Sequence, residues 1–415
     1  MSESPRPHAL YTWTAQRRFV PFPLAGGKGA WFWDDGGRRY LDMASAAANA
    51  GAGHNHPRIL DAIRGQLDRL AVAAPFMESG IREKTARRLA RVTPPGLDRF
   101  LFTLGGADAV EHAVKIARLA TGRASIVCRV NSYHGATLGA LSFSDDPRAE
   151  AFRPGLPGIH RVREPSCHRC PWETSPSVCD RPCVEHVGET VRRAGPETIA
   201  AILMETIPGT TAGYLPPLDY YRGIRGICDR HGILLILDEV LTGFGRTGRW
   251  FAAEHYDVVP DLMALGKGIT SGHAPLGCVA VSDRVARCFD DRELATGMTH
   301  TAHPVSLAAA LGNLEALHEE GLVGRAEALG RHMMDRLERM RRSHAAVVDA
   351  RGVGLYGCLE LDAEVDVQGL KRAAFEQGVH LLARGRCLYV LPPLIISRRD
   401  LDHGLDVIDA ALARC

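Results

Sequence analysis

Ile233-Leu234-Leu235-Ile236-Leu237-Asp238-Glu239 is the stretch on which the fold turns. Five branched aliphatic residues in succession leave no polar face, so the run describes a strand buried on both sides. Short apolar runs of the same kind occur at 125–128, 199–204 and 262–265, with helical patterns between them. Strands alternating with helices predict an α/β fold whose sheet is mostly parallel and covered by helices on both faces. Before this region, residues 1–60 form an N-terminal segment. It carries an aromatic, β-like stretch, Ala30-Trp31-Phe32-Trp33, and a turn at Asp34-Asp35-Gly36-Gly37. Residues 61–310 hold the alternation and form the large domain. Residues 311–415 open with a long helical pattern, offer strand-like pieces at 357–361 and 388–391, and end in a helix. They predict a smaller C-terminal α/β domain.

The bulk numbers agree with that division. A chain of 415 residues exceeds what one hydrophobic core organises. With 46% hydrophobic and 24% charged residues, it has the make-up of a soluble globular protein. A net charge of +2 gives no reason to expect nucleic acid as a partner. Arg339, Arg341 and Arg342 accompany Leu329, Met333, Leu337 and Met340 at helical spacing, which reads as a solvated face opposite a buried stripe. No window approaches 18 uncharged apolar residues, and the start, Met1-Ser2-Glu3-Ser4-Pro5-Arg6-Pro7, lacks an apolar export core. Neither a membrane span nor export is expected, and a cytoplasmic location is. The eleven cysteines are then expected as reduced thiols.

Three segments carry chemistry. Gly105-Gly106-Ala107-Asp108-Ala109 opens a helix whose apolar face includes Val110, Ala113, Val114 and Ala117. Free N–H groups at such a start, with the helix dipole behind them, hold phosphate. Asp238-Glu239 stands at the C-terminal end of the central strand, where open α/β sheets gather their ligands. A carboxylate there keeps a pyridinium nitrogen protonated. Leu262-Met263-Ala264-Leu265-Gly266-Lys267-Gly268 ends another apolar run in a lysine between glycines, and partial desolvation would favour its neutral, imine-forming amine. Each alone has a plain structural reading: a tight turn, a loop cap, a surface lysine. Together they are a phosphate cradle, a ring-nitrogen carboxylate and a Schiff-base lysine, the set that pyridoxal 5′-phosphate (PLP) requires.

The sequence resembles the class III aminotransferases of PLP fold type I over nearly its whole length. The resemblance runs through 235–248, Pro260-Asp261, Gly266-Lys267-Gly268, Pro275-Leu276-Gly277, Tyr133-His134-Gly135, Thr299, His303-Pro304 and Pro392-Pro393-Leu394. It implies a large domain with a mostly parallel sheet and a smaller α/β domain built from the N- and C-terminal segments. The opening Tyr11-Thr12-Trp13-Thr14-Ala15-Gln16 resembles the branch of taurine–pyruvate and related ω-aminotransferases. By position, Lys267 would carry PLP as a Schiff base and move the proton between substrate and cofactor. Asp238 would pair with the ring nitrogen. Tyr133 would stack on one ring face and Val240 pack on the other. Gly106 and Ala107 would hold the phosphate, while His134 and Glu239 would support the cofactor from around it. Thr299 would reach the phosphate of a partner subunit, which implies a homodimer with shared active sites. Arg246 would be structural.

Departures from the family pattern bear on the substrate. The phosphate loop, usually Ser-Gly-Ser-Glu-Ala, has lost both hydroxyls here, so backbone amides must do more and PLP retention should be weaker. The usual Glu-Pro is Glu205-Thr206. Glu205 then either lies by the cofactor, managing a substrate-binding arginine, or is a loop carboxylate. A carboxylate-binding arginine expected at Leu382 is displaced to Arg384 or Arg386, of which Arg386 reads as the more solvated. Trp13 and Arg384 are the candidate substrate contacts. Small residues at 44–50, where relatives often place an aromatic, predict either a wide pocket for a bulky amine or amino sugar, or close packing by alanine. Cys167, Cys170, Cys179 and Cys183 have spacing that zinc could use, although the same insertion in this branch implies no metal. The predicted activity is transfer of an amino group from a primary amine to an α-keto acid by a ping-pong mechanism. Other PLP chemistry on the same scaffold, as an aminomutase, decarboxylase or epimerase, is the alternative.

Overall fold

The computed structural model describes residues 8–175, 178–209 and 213–414. Its centre is a seven-stranded sheet. Across the sheet the strands run Leu97–Thr103, Gly277–Ser282, Leu262–Leu265, Leu234–Asp238, Ile199–Glu205, Ser125–Arg129 and Ile159–Val162. Gly277–Ser282 runs antiparallel to both neighbours, and the remaining pairs are parallel. Every residue of Ile199–Glu205 and Leu234–Asp238 is buried, as expected for strands covered on both faces. Alternation along the central strand divides the core. Leu234 and Ile236 pack with Val110, Ala113 and Ala117 of the Gly106–Thr121 helix. Leu235 and Leu237 pack with Tyr220, Ile224 and Cys228 of the Tyr220–His231 helix.

Strands Leu24–Lys28, Trp31–Asp34 and Arg39–Asp42 form a second sheet, completed by Val379–His380, which pairs in parallel with Arg39–Asp42. The C-terminal chain therefore closes the N-terminal sheet. A third, antiparallel sheet is ordered Val347–Val353, Tyr356–Leu361, Cys387–Val390 and Leu382–Arg384. Buried Asp42 joins the first two regions by bonding His54 (2.8 Å) and His380 (3.1 Å). Burial opposes ionisation of Asp42, but the two imidazole bonds outweigh it and hold the carboxyl far below its usual range. The basic helix behaves as its periodicity predicts. In Leu322–Ser343, Met333, Leu337 and Met340 are buried while Arg339, Arg341 and Arg342 are exposed. No helix among the described residues is long and apolar enough to cross a membrane.

The small-residue stretch is mostly buried, with Ala46 and Ala47 exposed, but its backbone is neither an ordinary helix nor a strand. Ser45, Ala46, Ala47 and Ala48 all have positive φ, between 47° and 64°, which makes a left-handed turn. Such a turn is unfavourable for residues with a Cβ and needs support from its surroundings. The Asp42 carboxylate receives the Ala44 and Ala46 N–H groups, and Arg246 donates to Ser45 Oγ (3.2 Å). Arg246 also donates to the carbonyls of Leu355 and Pro392, the structural role read from the sequence.

Candidate active site

The sheet delivers its strand ends to one place. Arg129, Glu205 and Asp238 are the last residues of three neighbouring parallel strands, and Lys267 follows Leu262–Leu265 by one glycine. Glu205, Asp238 and Lys267, with the start of the Gly106–Thr121 helix, border a cavity of about 830 Å³. Lys267, Asp238, Glu205, His134, Tyr133, Gly106, Ala107 and Val240 all line it, so eight residues chosen from the sequence meet in one space.

Lys267 opens on the cavity with a positive φ of 37°, between two glycines. Enclosure lowers its pKa below the ordinary lysine value, and the Asp238 and Glu205 charges only partly offset that. Asp238 is held from two sides: Val240 N–H donates to one oxygen (2.9 Å) and His134 Nδ1 bonds the other (2.8 Å). His134 is therefore a support for Asp238, and its other ring nitrogen is buried without a partner among the described residues. The helix opens at Gly105 with no side-chain cap, which leaves its first N–H groups free towards the cavity. A Cβ on Gly106 would stand 2.6 Å from Val240 Cγ1, so only glycine lets the helix start approach the strand end this closely. Uncapped helix N–H groups, a buried carboxylate and a lysine with lowered pKa on one cavity are the set that PLP needs. The residues fit the cofactor.

Glu205 is committed elsewhere than to a substrate arginine. Its oxygens accept N–H bonds from Tyr133 (3.0 Å) and Gly209 (2.8 Å), and Arg129 Nη2 lies 3.9 Å away. Burial raises its pKa. Arg129 is wholly enclosed, and its Nε and Nη2 have no hydrogen-bond partner among the described residues. At the mouth the sequence reading missed a cluster. Arg148 lies with its guanidinium carbon 3.4 Å from the Tyr133 ring centroid and 5.3 Å from that of Trp13. Asp146 bonds both Arg148 and Arg384. The only local signal was Asp146-Pro147, which opens a 3-10 turn through Arg148 N–H, and nothing in spacing links it to Arg384. Trp13 and Ala47 also line the cavity, Trp13 with 62% of its surface exposed.

Other candidates lie outside it. The Glu239 carboxylate points away and accepts Ala252 and Ala253 N–H bonds (3.0 and 2.8 Å), with Thr242 Oγ1 at 2.5 Å. It anchors the start of the Ala252–Tyr256 helix and does not position the cofactor ring, because the alternation of the strand turns it to the opposite face from Asp238. Arg386 donates to the Leu361 carbonyl instead of standing free in solvent. Thr299 sits on an exposed turn and does not line its own chain's cavity. Cys167, Cys170, Cys179 and Cys183 border one small hollow, where the Thr174 hydroxyl lies 3.4 Å from both Cys170 and Cys179 sulfurs. No three of these thiols lie within 4.8 Å of one another, the closeness an ion held by three of them requires.

Comparison with known proteins points the same way. Residues 13–412 match the family model described as aminotransferase class-III. The chain is 34% identical to the leucine/methionine racemase of Thermococcus litoralis, over 95% of this chain and 91% of that one. It is 33% identical to the omega-aminotransferase of Caulobacter vibrioides, over 97% and 96%. The structure of a taurine:2-oxoglutarate aminotransferase from Bifidobacterium kashiwanohense, in complex with PLP and glutamate, superposes with a TM-score of 0.94. That match has 33% identity and covers 98% of this chain and 95% of the other. With the lysine, the carboxylate and the open helix start already gathered at the sheet's C-terminal edge, this chain belongs to the class-III aminotransferases, enzymes that work with pyridoxal 5′-phosphate.

Proposed function

We propose that the chain moves an amino group from a primary amine of the ω type, bulky or amino-sugar-like, to an α-keto acid in two half-reactions. The observation that carries this reading is the convergence of Lys267, Asp238 and the uncapped helix start on one cavity. When bound, PLP supplies a sink for the electron pair released at the substrate carbon. Lys267 Nζ, whose pKa enclosure lowers, would move the proton from the substrate Cα to the C4′ position of the cofactor. Asp238, steadied by His134 and Val240 N–H, would pair with the ring nitrogen. Tyr133, fixed through its own N–H on Glu205, covers the ring and excludes water. Gly106 and Ala107 amides bind the phosphate.

Ala47 on the left-handed turn, with Leu382 and Leu241, supports a roomy, partly apolar substrate side. Arg384 supplies the keto-acid carboxylate contact, and Trp13 borders the entrance. The active unit is a homodimer in which Thr299 serves the neighbouring site, and the free thiols suit a reducing, cytoplasmic setting. One relative is a racemase, which keeps other PLP chemistry in view. The deciding experiment gives the holoenzyme a primary amine without keto acid. Conversion of the bound cofactor to the pyridoxamine absorption band, reversed by pyruvate or 2-oxoglutarate, is the expected result. Turnover of the amine without that conversion overturns transamination in favour of the alternative.

A further inference from the structure

A tyrosine of the third sheet is tied to the cavity through one peptide group. Tyr356 opens the Tyr356–Leu361 strand, is wholly buried, and has a single O–H to give. Its Oη shares that proton between the carbonyls of Pro208 (2.7 Å) and Gly209 (3.0 Å). The Pro208 carbonyl and the Gly209 N–H belong to one planar, trans peptide and point opposite ways. That N–H donates to Glu205 Oε2 (2.8 Å), and Glu205 Oε1 accepts the N–H of Tyr133 (3.0 Å). A row of hydrogen bonds thus runs from the Tyr356 hydroxyl to the main chain of a residue that lines the cavity. The row is closely fitted. A Cβ on Gly209 would stand 2.9 Å from Leu241 Cδ1 and 3.2 Å from Glu205 Oε2, so glycine lets this amide reach the carboxylate. Arg351, on the same face of the sheet as Tyr356, holds the Gly213 carbonyl through Nε (3.0 Å). Tyr221 Oη bonds the main-chain carbonyls of Glu205 (2.7 Å) and Thr206 (2.8 Å) and leaves the carboxylate to Gly209 and Tyr133.

We propose that Tyr356 is a positioning residue that acts through the Pro208–Gly209 peptide and Glu205 to set Tyr133 in place over the cofactor ring. This rests on the reading of Tyr133 as the cover of the ring and adds what holds it there. Tyr356 itself does not line the cavity, so its influence passes along the row. Without the phenol, the buried carbonyls of Pro208 and Gly209 lose their donor, the costly way for a polar group to lose a bond. The peptide then turns its carbonyl elsewhere, and because the plane is rigid its N–H swings off Glu205. In the intact row the effect runs the other way. A bond accepted by the carbonyl polarises the N–H across the peptide and strengthens the bond that N–H gives. Burial disfavours the charged form of Glu205, and the Gly209 N–H is among the contacts that oppose this.

The test compares the wild-type holoenzyme with Tyr356→Phe, which keeps the ring and removes the hydroxyl. Hydrogen exchange of the peptide spanning 131–135 reads the Tyr133 amide and quickens about tenfold, the scale of one hydrogen bond. The induced circular dichroism of the bound PLP band weakens, because the ring is less firmly held. With 1-phenylethylamine and pyruvate, kcat falls about tenfold while neither KM moves by more than about twofold, since the row serves the chemical step and not substrate binding. In a Glu205→Gln background the Gly209 N–H has lost its carboxylate, and Tyr356→Phe changes exchange and kcat no further. Unchanged exchange, an unchanged kcat, or an equal further loss in that background overturns the proposal. Should Glu205→Gln not fold, a crystal structure of the Tyr356→Phe holoenzyme decides. Gly209 N then lies beyond hydrogen-bond reach of Glu205 Oε2; an unmoved Gly209 overturns the proposal. Exchange and dichroism need no substrate, so failure of the amine half-reaction in the wild-type enzyme counts against the transaminase reading alone.

Discussion

Lys267 reacts with an aldehyde only as the neutral amine, and its enclosure favours that form at lower pH than for a solvated lysine. The sequence holds only five lysines, and Lys28, Lys84 and Lys115 are exposed. Borohydride reduction of the holoenzyme should therefore label a single peptide, the one containing Lys267, and Lys267→Ala should abolish turnover. A label on any other lysine, or normal turnover by the variant, removes the basis of the site. Glu239 makes a different prediction. Burial pushes its pKa up to about 7, although bonds from Thr242, Ala252 and Ala253 pull the other way. An acid with a raised folded-state pKa adds stability that is full below its unfolded value and lost as pH rises through the folded one. Raising that carboxyl from its ordinary range to about 7 is worth about 3 kcal/mol. Between pH 5 and 8 the wild-type Tm should fall more steeply than that of Glu239→Gln, which cannot titrate; parallel melting curves across that range would sink the assignment.

At the scale of elements, the cofactor cradle depends on how closely the Gly106–Thr121 helix starts to the end of the Leu234–Asp238 strand. Gly106→Ala would put a Cβ 2.6 Å from Val240, a stiff β-branched side chain. The helix start must then move outward, costing about 1–3 kcal/mol as overpacking and weakening PLP retention about tenfold. Ala107→Ser should do the reverse and tighten PLP, by restoring a hydroxyl to a cradle built of amides alone. Cofactor loss on dialysis measures both, and equal retention by all three proteins contradicts the account. These elements were legible beforehand because burial on two faces writes itself as the unbroken run 233–237, and a helix start beside glycines writes itself as Gly105-Gly106. The left-handed turn at Ser45–Ala48 was not, since four positive φ angles at residues with a Cβ are supported by the nearby Asp42 carboxylate together with Arg246, 201 positions from Ser45, overriding local preference. The same blindness hid Asp146 and Arg148 as partners of Arg384, which lies 238 positions from Asp146 and meets it only when the C-terminal hairpin folds over the large sheet. Glu239 was misassigned for a simpler reason: adjacency to Asp238 said nothing about which face of the strand it would take.

For the molecule as a whole, the placement of Thr299 carries the consequence. Within one chain it is exposed on a turn and stands outside the cavity it would serve. Along the same chain Val72, Phe76 and Met77 are exposed apolar residues at 72%, 86% and 54% of their surface, a burden that a second copy would relieve. The proposed homodimer predicts a mass of about twice the 45.1 kDa of the chain, with Thr299 of each copy serving the phosphate site of the other. Two crippled variants then distinguish shared from self-contained sites. Lys267→Ala homodimers lack the reacting amine. Thr299→Ala homodimers keep it but lose a phosphate contact, and at limiting PLP they should be about tenfold less active. In a heterodimer of the two, one site combines an intact Lys267 with an intact Thr299 from the other chain, while the second lacks both. Co-expression should thus restore the specific activity of that one site at limiting PLP, well above the mean of the parent homodimers. If each site used its own Thr299, no heterodimer would hold a complete one, and activity would stay at the mean of the parents however the chains were mixed.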